Sequence, residues 1–178
     1  MDLIDSVKRR AQDPRTRTDR ADAHPPELGG TLPEGVIAAM ERELSLEFPE
    51  TLRRLYAEVG DGGFGPGYGF LRMSTATALD EETVADLYQS LHGPDLSDSS
   101  WHWPDGLLLV CEWGRGIRAG VVCPTNRVVV FDPNLHDSDW SDTFLDQDCT
   151  LDEWLQKWCD GVDLWKEILE SAERRNGA

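Results

Sequence analysis

The chain is short of positive charge. Its 178 residues hold 17 Lys and Arg against 34 Asp and Glu, a formal net charge of −17. No Lys or Arg stands between Arg72 and Arg115, or between Arg127 and Lys157. Such a surface repels nucleic-acid phosphates and anionic lipid headgroups. The imbalance is local. Residues 1–31 carry six charges of each sign, so residues 32–178 hold the whole excess, with 28 acids and 11 bases. A cationic partner complements that excess, and solubility alone is the plain alternative.

Long apolar runs are missing as well. The longest, Leu107–Cys111, is far below the ~20 residues of a membrane-spanning helix. Met1-Asp2-Leu3-Ile4-Asp5 has no apolar secretory segment. The four cysteines, Cys111, Cys123, Cys149 and Cys159, form no CxxC pair. They read as reduced thiols, and a cytoplasmic location is expected.

Catalytic and metal patterns are scarce. His24, His92, His102 and His136 are scattered, without metal-ligand spacing. The glycines at 62–69 are not followed by Lys-Ser/Thr, so there is no phosphate loop. No serine sits in a nucleophile elbow. Cys123 with His136 is a conceivable nucleophile and base, yet Cys123 falls in an apolar strand with nothing to activate its thiol. The sequence therefore predicts a non-catalytic protein with no cofactor and no metal.

What is present is enough for a core. Apolar residues make up 39% of the chain and seven are Trp, which suits one globular domain. Residues 1–12 read as an amphipathic helix, and 13–31 as a linker rich in Pro and Gly. A helix begins at Pro33, with Val36, Ile37, Met40 and Leu44 on one face. A second follows Pro49, with Leu52, Leu55, Tyr56 and Val59 as its stripe, and Gly60 ends it. Phe70–Met73 reads as a short strand and Asp80–Leu91 as a helix. Three strands follow, Leu107–Glu112, Ile117–Cys123 and Val128–Phe131, joined by turns short enough for antiparallel hairpins. Residues 132–148 read as an acidic loop. Thr150 and Glu153 fit a capping box at the start of a last helix, which Gly161 breaks. Leu151, Trp154, Leu155, Trp158, Val162, Trp165 and Leu169 read as its apolar stripe.

Taken in order, these pieces resemble the SUKH superfamily (Smi/Knr, fungal cell-wall-regulator-like). Two opening helices end in a glycine-rich loop, here Asp61-Gly62-Gly63. A hairpin follows with Trp113-Gly114, Ile117, Cys123 and Val128-Val129-Val130-Phe131-Asp132-Pro133-Asn134. A closing helix has the rhythm Leu151, Trp154, Leu155, Trp158. The likeness covers residues 32–170. It departs at Arg115 and Val122, where many relatives carry Cys and Asp. Residues 1–31 stand outside it as an N-terminal extension, with the SUKH-like domain at 32–178. The resemblance implies a single α+β domain with a curved, mostly antiparallel sheet flanked by helices. It also implies function by protein contact. Bacterial members are generally immunity proteins that neutralise polymorphic toxins, often nucleases or deaminases. Fungal members are interaction hubs.

On that footing the candidate contact residues are Asp61 in the glycine loop, Trp101 and Trp103, and Asp137, Asp139, Trp140, Asp142 and Asp146 in the acidic loop. Carboxylates around an exposed ring would plug the basic cleft of a cationic toxin domain, with Trp140 as anchor. Two other readings use the same residues. Asp137–Asp142 spaces oxygens like a calcium loop, but lacks its Gly at position six and its closing Glu. Trp101 and Trp103 could line a pocket for a sugar or a base, but rings in such a loop more often cap the edge of a core.

Overall fold

The computed structural model describes residues 2–19, 26–73, 82–94 and 97–176. His24, the middle of the segment read as a linker, and the first two residues of the helix read from Asp80 lie outside them. The architecture is one open sheet with helices on one face. The strands are β1 (Gly69–Phe70), β2 (Leu107–Gly114), β3 (Ile117–Val122), β4 (Arg127–Phe131) and β5 (Phe144–Thr150). They lie in chain order and every neighbouring pair is antiparallel. The helices are α1 (Leu3–Gln12), α2 (Glu34–Leu44), α3 (Glu50–Arg54), α4 (Val84–Leu91), α5 (Leu151–Cys159) and α6 (Leu164–Asn176).

Alternation along the strands separates two cores. Val121, Val128, Val130, Leu145 and Cys149 face inward, against buried residues of all six helices. Leu107, Leu109 and Phe131 face the other way and join Trp103 in a small second cluster. A bulge between Leu109 and Cys111 lets Val110 and Cys111 share the inner face. The inner core takes α1 at Ile4, Val7 and Ala11, one stripe of an amphipathic helix. From α2 it takes Ile37, Met40 and Leu44, while Val36 is left 37% exposed. The stripe after Pro49 is buried throughout, but its second half, Leu55–Val59, widens into a π-helical turn closed by Gly60 N–H on Leu55 O.

The C-terminal helices differ most from the single stripe expected. Thr150 and Glu153 cap α5 reciprocally, through bonds of 3.3 and 2.8 Å. Leu151, Trp154, Leu155 and Trp158 are buried as a face. Gly161, at φ 80°, then ends the helix. The break resets the phase, so α6 buries Leu164, Ile168 and Ser171 instead. Val162 and Leu169 are left 41% and 46% exposed, and Trp165 is half-buried.

Residues 132–148 are not one loop. Two short 3-10 turns, Pro133–Leu135 and Trp140–Thr143, lead into β5, which pairs with β4. The glycine-rich loop is packed tightly. A Cβ on Gly63, whose φ is 80°, would stand 2.0 Å from Glu27 O, so only glycine admits residues 26–30 alongside. Gly29 N–H donates to Gly62 O and Asp61 N–H to Gly30 O, which ties this segment to the loop.

Candidate partner-binding surfaces

Two surfaces emerge from this frame. The first is a platform on the outer face of the sheet. Residues 98–104 cross that face and bring Trp103 edge-on to Phe131 and Phe144, at 5.4 Å each. Trp101 then meets Trp140 edge-on at 4.8 Å. Trp140 Nε1–H donates to Asp98 Oδ2 at 2.8 Å, and the His136 ring lies 4.2 Å from the Trp140 ring. Asp98 also accepts from Ser100 N–H and Oγ–H. These donors, led by the Ser100 backbone, hold the Asp98 carboxyl below its usual value. Bonds from Ser141, its backbone N–H first, do the same for Asp139.

The platform gathers some of the expected contact residues and removes others. Asp137 and Asp139 are exposed and form no salt bridge among the described residues, although the nearby His136 imidazole adds to the pull on the Asp139 carboxyl. Asp142 pairs with Arg175 at 2.8 Å, and Asp146 and Asp148 share Arg127 at 2.9 and 3.3 Å. The acidic stretch is therefore partly neutralised by the chain itself. Trp140 is not a free anchor, because its ring is half-buried and its N–H is bonded. Trp103 is 4% exposed and donates its indole N–H to Leu107 O, so it belongs to the core. Asp61 is 5% exposed and accepts from Met73 N–H at 2.7 Å. Its carboxylate holds the glycine loop and is not on the accessible surface.

The second surface is a cleft of 690 Å³ at the end of the sheet, between the β2–β3 hairpin and α6. Its walls are Tyr68, Trp113 and Ile117 on one side, and Trp165 and Leu169 on the other. Trp113 stacks on Trp165 at 5.7 Å. Trp113 is 2% exposed, and its Nε1–H has no acceptor among the described residues. The polar lining is Arg115 and Asn134. Arg115 stands at φ 56° between Gly114 and Gly116, and Asn134 Nδ2–H donates to its carbonyl at 3.2 Å. The hairpin Trp-Gly, the Asn of Phe-Asp-Pro-Asn and the glycine-loop Tyr68 thus converge on one place. In the sequence Trp113, Gly114, Ile117 and Asn134 stand only as marks of the family likeness, Arg115 as a departure from it, and Trp165 and Leu169 as part of a core stripe, so none of them reads there as a contact residue.

Behind Trp113 and Trp165 a smaller hollow of 370 Å³ reaches Arg10 and Asp19. Here the N-terminal segment is fastened. Arg10 lies 4.4 Å over the Trp158 ring, donates to Trp158 O at 2.6 Å and pairs with Asp19 at 3.1 Å. Asp19 also accepts from Trp158 Nε1–H and Gly67 N–H. Burial nonetheless pushes its carboxyl up from the usual value.

The chemistry of the remaining side chains is quiet. Burial raises all four thiols, Cys123 to about 12 and Cys149 to about 11, so they are protonated near neutrality and not activated. Cys123 faces the inner core, whereas His136 packs at a tilt on Trp140 over the outer face. Among the described residues, no three His, Cys, Asp or Glu side chains converge as metal ligands would. No helix among them is long and apolar enough to cross a membrane.

A five-stranded antiparallel meander backed by six helices among the described residues, with aromatic and acidic loops on its outer face, defines a small α+β domain. The chain belongs to the SMI1/KNR4 family (SUKH-1), whose model matches residues 31–158. Membership supports a role of the immunity or regulatory type, exercised through protein partners. No curated protein and no solved structure matches.

Proposed function

We propose that the chain is an immunity-type protein that binds and neutralises a cationic toxin domain of the nuclease or deaminase kind in the cytoplasm, without catalysis of its own. The observation that carries the reading is the platform. Asp137 and Asp139 are exposed carboxylates in no salt bridge among the described residues, on a surface that contacts among Trp101, Trp140 and Asp98 tie together. A rigid acidic surface meets a basic cleft with little ordering cost, and charge of opposite sign speeds encounter. Asp142 and Asp146 stand beside it, and on contact their partners Arg175 and Arg127 are exchanged for cations of the toxin.

The test is a pull-down of tagged protein from its own cells at low and high salt. A cationic toxin fragment held at low salt, weakened at high salt and weakened again by Asp137→Lys with Asp139→Lys, is the expected result. Capture of a non-toxin partner that ignores both changes would replace this reading with a regulatory one.

A further inference from the structure

The cleft beside the hairpin differs in charge from the rest of the molecule. In a chain with two acids for every base, no carboxylate among the described residues lines it, and the one charged residue among them that does is Arg115. Arg115 is exposed and in no ion pair among the described residues. Its placement is deliberate in backbone terms. Gly114 at φ 85° and Gly116 at φ 79° flank it, and Asn134 ties down its carbonyl. Across the cleft, α6 presents a second apolar side. Leu164 and Ile168 are buried in the core, while Trp165 and the 46%-exposed Leu169 line the cleft. A helix apolar on two sides needs cover on both.

We propose that this cleft receives an extended segment of a protein partner, one that places an aromatic or branched aliphatic side chain between Trp165 and Ile117 with a neighbouring carboxylate on Arg115. Rings that are rigid, apolar and rimmed by one charge are the usual composition of an interface anchor site. The volume suits a few side chains. A second copy of the chain is the poorer occupant, because it sets Arg115 against Arg115 and −17 against −17. The proposal rests on the protein-binding reading but not on the acidic platform.

The experiment pans a displayed library of short random peptides on the full chain and measures the enriched peptides against variants. The expected peptides carry an apolar side chain next to Asp or Glu. Arg115→Glu and Leu169→Asp, both at exposed positions, weaken them by about tenfold or more, while Asp137→Lys with Asp139→Lys leaves them unchanged. Circular dichroism of each variant matches the wild type. No enrichment, peptides without the acidic-apolar pairing, or peptides that keep their affinity for Arg115→Glu would overturn the cleft proposal. So would a dimer in sedimentation that Leu169→Asp dissolves. Peptides that respond only to the Asp137 and Asp139 changes would sink the cleft and leave the protein-binding reading standing.

Discussion

The acidic platform and the hairpin cleft sit on one sheet but are built in opposite ways. The platform is stiff from within: Trp101, Trp140 and Asp98 bond to one another, and Arg127 and Arg175 quench part of its charge. The cleft sets apolar side chains beside one cation and Asn134, and its walls come from elements already fixed by the main core. The contrast teaches that net charge locates only one kind of contact surface. A surface can be unusual by having less of the chain's prevailing charge.

The comparison can be broken most severely at the cleft wall. Trp113→Ala removes a ring that is 2% exposed, and should cost about 3–5 kcal/mol in urea unfolding, as buried Trp truncations do. Trp140→Ala should cost less. It loses a ring pair worth about 0.5–1.5 kcal/mol and a hydrogen bond of similar worth, about 0.5–1.5 kcal/mol. Equal losses at the two sites would erase the distinction between a core-backed wall and a self-tied platform.

Acid separates the two surfaces further. The Asp98 carboxyl is lowered in the folded chain from 3.8 by bonds to its charged form, the Ser100 backbone N–H foremost. Its contribution is therefore present above pH 3.8 and is lost as pH falls below that value. The Trp140 indole N–H resonance should shift in that acid range, before the Trp113 resonance does. Coincident shifts would show that the platform has no independent tie.

The mildest changes sharpen the contrast. Arg127→Ala frees Asp146 and Asp148 and leaves unfolding unchanged within error, since exposed pairs contribute little. Binding of a cationic partner should tighten, which calorimetry would read. Leu169→Ser should alter stability by less than about 0.5 kcal/mol and yet abolish peptide capture at the cleft.

Much of this frame was legible in the residues, for definite reasons. Thr150 and Glu153 marked the start of α5 because a capping box is local. The phase of α6 was not legible. The chain leaves the helix at Gly161 and re-enters at Leu164, and nothing in the side chains says by how many degrees it has turned. Strand β5 was hidden by Asp146, Gln147 and Asp148. Leu145 and Cys149 are buried on one side, but polar residues fill the positions between them, and Asp148 takes a positive φ where the register with β4 shifts. Asp61 looked like a surface acid, and only the fold reveals the Met73 N–H it accepts. The cleft was invisible because Tyr68, Trp113, Asn134 and Trp165 are distant in sequence and meet only when the sheet forms.

Hydrogen exchange on the captured complex tests the central claim most directly, that this chain acts by protein contact at the platform and the cleft. Protection of residues 98–104 and 136–142, together with 113–117 and 165–169, is the result expected. Protection confined to the solvent side of α2 and α3, with both surfaces exchanging as in the free chain, would contradict it.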